Sequence, residues 1–176
     1  MPEQQIKAVA FDYGGTISEA RIDRVIGQKR LDPAAVAPLH RLHTMGIRLV
    51  LASNTLAHET RWPALQMAGV DDLFTVALLS DPLGVAKPDP MFYRLVLAAA
   101  DCAPGELLFV GDNLRDDVTG PIGHEMRAAL VRPDGLRGGE ELPTGAHLIR
   151  HVGELPDLVA APDVDGRDPA FRAPWT

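Results

Sequence analysis

A chain of 176 residues with 46% hydrophobic content can bury one sizeable core and hardly two, so a single domain is expected. Its formal charge of -7 comes without a clustered run of Lys and Arg, which argues against a nucleic-acid scaffold. The lone Cys102 excludes an intrachain disulfide, and no apolar stretch approaches the roughly 20 residues that span a bilayer. The first ten residues lack the basic start and apolar run of a signal peptide, so the cytoplasm is the expected compartment, with no membrane role.

Apolar runs rich in β-branched residues alternate with helical patterns, as in a parallel sheet with crossover helices. The first strand is expected over 6–11. Residues 17–32 carry Arg21, Arg24, Lys29 and Arg30. They read foremost as a solvated turn and helix start, although as a local lid their four cations could meet an anionic substrate. A helical segment before Gly46 would put His40 and His43 on one face. No second pair at zinc spacing follows, and Pro38 leaves that helix little length, so surface or packing roles are expected. A strand over 47–52 precedes a helix over 58–68, with Pro63 near its first turns, Trp62 in a packing role and a stop at Gly69.

Further strands are expected over 73–79, 107–110 and 128–131. Between them Phe92, Leu95, Val96 and Ala99 form one apolar stripe on a helix that begins after Pro90 and packs on the sheet. Residues 161–176 mix Pro, Asp, Gly and Arg without a period and read as an extended or mobile tail. The expected architecture is therefore α/β: one doubly wound, Rossmann-like domain over 1–160, with a parallel sheet and helices on both faces.

Four polar segments fall at or beside the carboxyl ends of predicted strands, where ligands gather in such sheets. They are Phe11-Asp12-Tyr13-Gly14-Gly15-Thr16, Leu51-Ala52-Ser53-Asn54, Ala86-Lys87-Pro88 and Val110-Gly111-Asp112-Asn113-Leu114-Arg115-Asp116-Asp117. In content and order they resemble the motifs of the haloacid dehalogenase superfamily, over roughly residues 5 to 160. Its hydrolases mostly cleave phosphate esters through an aspartyl-phosphate intermediate.

The resemblance implies roles residue by residue. Asp12 matches the nucleophile, whose acyl phosphate is itself readily hydrolysed, so that one hard step becomes two. Asp112 and the backbone carbonyl of Gly14 match the Mg²⁺ ligands beside Asp12, with Asp117 and Asp116 orienting the metal's waters. Lys87 matches the lysine that neutralises the nucleophile and the phosphoryl oxygens. Ser53 matches the hydroxyl that donates to one of those oxygens, with Asn54 as a helper. Backbone N–H groups of Tyr13 and Gly14 could cradle the phosphate, and Gly15 would let the chain approach it closely.

The departure is Gly14. Phosphatases of the superfamily usually carry a second Asp there, which protonates the leaving oxygen and later activates water. A positioned acid or base is worth roughly 10² to 10⁴ in rate. Three readings follow: a substrate whose leaving group departs unprotonated, as from an acyl phosphate; a substitute donor such as Tyr13, His58, His124 or a water; or a silent protein that kept the fold for binding or regulation. Dehalogenases and phosphonate hydrolases of the family also lack this acid. Retention of Asp112, Asp116 and Asp117 speaks for a metal site that a dehalogenase would not need.

The intervals where a cap would enter hold only about thirty residues each, so a capless or minimally capped member is expected. Its open site would suit a phosphorylated small molecule or macromolecule, or a homo-oligomer in which a neighbour closes the site.

Overall fold

A computed structural model of the chain describes residues 5–161. The anticipated C-terminal extension lies outside the described residues, apart from Ala161. In chain order the elements are β1 (Ala8–Phe11), β2 (Ser18–Asp23), β3 (Gln28–Leu31), α1 (Pro33–Thr44), β4 (Arg48–Ser53), α2 (Trp62–Ala68), β5 (Phe74–Leu79), α3 (Ser80–Leu83), α4 (Pro90–Ala100), β6 (Leu107–Gly111), α5 (Gly120–Ile122), β7 (Arg127–Val131), β8 (Ala146–Ile149) and α6 (Leu155–Ala160). Six strands form one sheet in the order β5-β4-β1-β6-β7-β8, and every pairing in it is parallel. The doubly wound α/β architecture is thus as expected, and the described residues hold no large cap.

Period-two alternation sorts the central strand between two apolar layers. Val9 and Phe11 join Leu39, Leu42, Leu65 and Leu155 of α1, α2 and α6 on one face. Ala8 and Ala10 face α4 on the other. With Ala52 they leave room for the bulk of Phe92 and Tyr93, and burying Phe92 and Val96 contributes about 1.5–3 kcal/mol each.

Three local expectations need correction. Residues 17–32 form a β-hairpin, not a helix start, because the Asp23 carboxylate accepts from Val25 N at 2.7 Å and Ile26 N at 3.2 Å. Gly27 then takes the left-handed backbone (φ 68°) that closes the turn. Pro38 does not shorten α1, which runs 12 residues through it from the Asp32 cap, whose carboxylate accepts from Ala34 N at 2.9 Å. His40 and His43 are exposed, in keeping with a surface role. Finally, α2 starts at Trp62, not near 58, since His58 and Arg61 both adopt left-handed backbone (φ 68° and 62°). Its stop is as expected, with Gly69 left-handed at the C-cap.

Candidate active site

Strand β1 lies between β4 and β6, from which the strand order runs outward in opposite directions, so its carboxyl end is at the topological switch point. Phe11 is in register with both Leu51 and Val110. Asp12, Ala52 and Gly111 therefore stand at one level, with Ser53 and Asp112 one residue beyond.

Around that point Asp12, Asp112 and Asp117 each bring an oxygen within 4.8 Å of the others. Lys87 ties two of them together: its Nζ donates to Asp12 Oδ1 at 3.0 Å and to Asp117 Oδ1 at 2.7 Å. The second oxygen of Asp117 accepts from Asn113 N at 3.0 Å. Asp117 thus has both oxygens engaged by the protein, while among the described residues Asp12 Oδ2 has only a long bond from the Thr16 hydroxyl at 3.4 Å. Thr16 had no role assigned from sequence.

The remaining sequence candidates take distinct positions. Asn54 clamps Lys87 through its backbone: Asn54 Nδ2 donates to Lys87 O and Lys87 N donates to Asn54 Oδ1, both at 2.9 Å. Its amide is committed to that task, which makes Asn54 a strut for Lys87. Ser53 is 1% exposed, and its hydroxyl makes a 3.3 Å bond to Asn54 O. Asp116 is anchored by its backbone, its carbonyl accepting from Tyr93 Oη at 2.7 Å.

Two residues invisible to sequence reasoning hold the Asp112 loop. The Arg132 Nη1 donates to the Asp112 carbonyl, while Nε and Nη2 form a fork on Glu140 at 3.0 and 2.6 Å. An Arg after β7 and a Glu in a loop carry no motif; only the fold brings them to the site.

Burial dominates the electrostatics. It pushes the Asp112 carboxyl up, and the neighbouring charge of Asp12 adds to the effect against the pull of Arg132. It also drives Asp117 up to about 7, although Lys87 pulls the other way. For Lys87 burial favours loss of the proton, but the attraction of Asp12 and Asp117 outweighs it and holds the ammonium above its ordinary pKa. Lys87 is therefore charged at neutral pH. Three hard oxygens converging with like charge, two of them destabilised as anions, fit a hard divalent cation.

The glycines differ sharply. A Cβ on Gly15, whose φ is +73°, would collide with the Asp112 carboxylate, and one on Gly111 would collide with Asp117. A Cβ on Gly14 would meet nothing within 4 Å. Two of the candidate substitute acids, Tyr13 and His124, have their polar atoms engaged elsewhere. The Tyr13 hydroxyl donates to Lys29 O at 2.7 Å, and burial pushes its pKa up to about 12. His124 stacks on Tyr93 with ring centroids 5.0 Å apart and bonds Gly120 O, while the exposed His58 lines neither cavity beside the site.

A family profile described as haloacid dehalogenase-like hydrolase matches residues 18–122, more than half of the chain. The match takes in the Ser53, Lys87 and Asp112 segments and begins after Asp12. A phosphoserine phosphatase of Thermus thermophilus is 36% identical over 131 residues, 74% of this chain and 51% of that protein. A phosphoglycolate phosphatase of Cereibacter sphaeroides is 36% identical over 129 residues, 72% of this chain and 56% of that protein. Among solved structures, a HAD phosphatase of Thermococcus onnurineus superposes with a TM-score of 0.71 at 20% identity, covering 88% of this chain and 98% of that one. The chain belongs to the haloacid dehalogenase-like hydrolases. It spans between half and two thirds of the length of the curated relatives first matched.

Proposed function

We propose that the protein is a Mg²⁺-dependent phosphohydrolase acting on a small phosphorylated compound in the cytoplasm. The observation that carries this is Lys87, buried and charged, bridging Asp12 and Asp117 at the switch point of the sheet. The similarity to phosphatases that act on phosphoserine and phosphoglycolate supports the same substrate scale.

Asp12 would attack phosphorus, its oxygen forming a bond to phosphorus as the ester oxygen departs with the bonding pair. Water would then hydrolyse the aspartyl phosphate, releasing inorganic phosphate and restoring the Asp12 carboxylate. Lys87 holds Asp12 in place and offers positive charge to the transferring group, with the Ser53 hydroxyl and the backbone N–H groups of Tyr13 and Gly14 as further donors. Asp12, Asp112 and the Gly14 carbonyl would hold the Mg²⁺. Asp117, both of whose oxygens are engaged, would set Lys87 and Asn113 around it. When bound, Mg²⁺ supplies charge neutralisation between the carboxylates and the phosphoryl oxygens.

Gly14 leaves the departing oxygen without a side-chain acid, which favours substrates whose leaving group needs none. The acidic triad argues against dehalogenation, which needs no such site. The test is hydrolysis of p-nitrophenyl phosphate and acetyl phosphate, with Mg²⁺ and with chelator, by the wild type and Asp12→Asn. Turnover that requires both Mg²⁺ and Asp12 is expected. Its absence with both compounds would favour a silent binding or regulatory protein.

A further inference from the structure

A second cavity, of about 330 Å³, opens beside Gly14, two residues from the proposed nucleophile. Its walls include Ile22 and Lys29 of the hairpin and Asn54, Leu56 and Arg61 of the segment after β4. This is the scale of a small-metabolite site.

Arg61 sits there in an unfavourable state. Only 7% exposed, it takes left-handed backbone (φ 62°), which costs a non-glycine residue strain. Among the described residues its Nε has no hydrogen-bond partner, and its ion pair is Nη2 to Glu59 Oε2 at 3.1 Å. A guanidinium carries five N–H donors, and here the one on Nε is taken from water without a partner. Lys29 is half-buried and its side chain has no hydrogen bond or ion pair among the described residues.

A single side chain touches both residues from beside the nucleophile. Tyr13, adjacent to Asp12, donates its hydroxyl to Lys29 O at 2.7 Å, and its ring lies 4.8 Å beneath the Arg61 guanidinium. The Lys29 backbone and the Arg61 guanidinium are thus both joined through Tyr13 to the segment of Asp12.

We infer that this cavity seats a carboxylate carried by the substrate beyond its phosphoryl group, read by Lys29 and Arg61. The inference rests on the phosphohydrolase reading for what occupies the Asp12 side. Two cations against the one carboxylate of Glu59 leave a single net positive charge, which a carboxylate monoanion neutralises and a second phosphate dianion would exceed. The planar guanidinium fork matches a carboxylate in geometry. Ile22 and Leu56, 66% and 75% exposed, supply apolar walls for a short carbon chain.

The test compares binding, in Mg²⁺ buffer, of phosphonoacetate and ethylphosphonate, which differ by the carboxylate, using titration calorimetry on the full chain. The wild type is expected to bind phosphonoacetate at least about tenfold more tightly, and Lys29→Gln and Arg61→Gln should each cut that ratio about tenfold. Lys29 lies on the half-buried hairpin, so its variant remains informative if loss of buried Arg61 impairs folding. Arg115→Gln, which removes an exposed cation from the separate cavity that Asp112 lines, should leave the ratio in place. A wild-type ratio near one, or a ratio that survives the Lys29 change, would overturn the inference. Because binding is read without turnover, failure of the phosphohydrolase reading would appear separately, as no hydrolysis of p-nitrophenyl or acetyl phosphate. A matched comparison of 2-phosphoglycolate with ethyl phosphate as substrates should follow the same order.

Discussion

Gly15 lies so close to Asp112 that the methyl group of an alanine would run into the carboxylate, in a backbone conformation that already disfavours any side chain. Gly15→Ala is therefore expected to cost about 1–2 kcal/mol from the left-handed backbone alone and to displace Asp112, lowering turnover at least about tenfold. Gly14→Ala should stay within about 0.5 kcal/mol of the wild type. Urea unfolding and p-nitrophenyl phosphate assays on both variants would check the contrast.

The open space at Gly14 also admits a carboxylate. Gly14→Asp is expected to raise turnover of an ester with a poor leaving group, such as ethyl phosphate, by at least about tenfold, part of the 10² to 10⁴ that a positioned acid contributes. Turnover of p-nitrophenyl phosphate should change far less. No gain on ethyl phosphate would mean that the missing proton donor is not what limits this site.

Replacing Lys87 by Met would leave Asp12 and Asp117 buried without their cation. Removing one partner of a buried ion pair typically costs about 3–5 kcal/mol, and this lysine serves two carboxylates. The variant is expected to be inactive and destabilised by that order. Mg²⁺ should raise its melting temperature more than the wild type's, by supplying to Asp12 the charge that the lysine no longer provides. Thermal unfolding with and without Mg²⁺ would decide.

The Arg132–Glu140 fork makes a pH-dependent prediction. Hydrogen bonds from Arg132 and from Arg137 N depress Glu140 from 4.5 to about 2. A depressed carboxyl stabilises the fold fully above its unfolded pKa, and that contribution is lost as pH falls through the folded one. The stability lead of the wild type over Glu140→Gln should thus be constant above about pH 4.5 and shrink from there toward pH 2. A lead that held steady below pH 4 would contradict the pairing.

What could be read from the sequence follows a physical divide. The parallel strands were legible because β1, β4 and β6 are continuous apolar runs, buried on both faces. The segments bearing Asp12, Ser53 and Asp112 were legible because each lies at the end of such a run, whereas Lys87, between α3 and α4, stood out only by its place in the order of the motifs. The hairpin was not, since Ser18–Asp23 has no buried residue and is mostly polar, and its turn is set by one Asp23 carboxylate. Strand β8, four residues at the sheet edge, lacks a signal of its own. The Arg132 brace and the Tyr13 tether join positions far apart in sequence, and local pattern cannot report a partner chosen by the fold.

The placement of β1 at the middle of the sheet has a consequence for how the chain is made. Ala8 pairs with Arg48 on one side and with Leu107 on the other, so the nucleophile's strand gains its second neighbour only after 99 further residues have been synthesised. At roughly 5–20 residues per second that is on the order of 5–20 seconds on the ribosome. Throughout that interval the backbone edge next to Asp12 waits for a partner. A parallel pairing of such long range is also slow to close. Birth of the fold, and not only its finished chemistry, thus hinges on the segment that delivers Asp112.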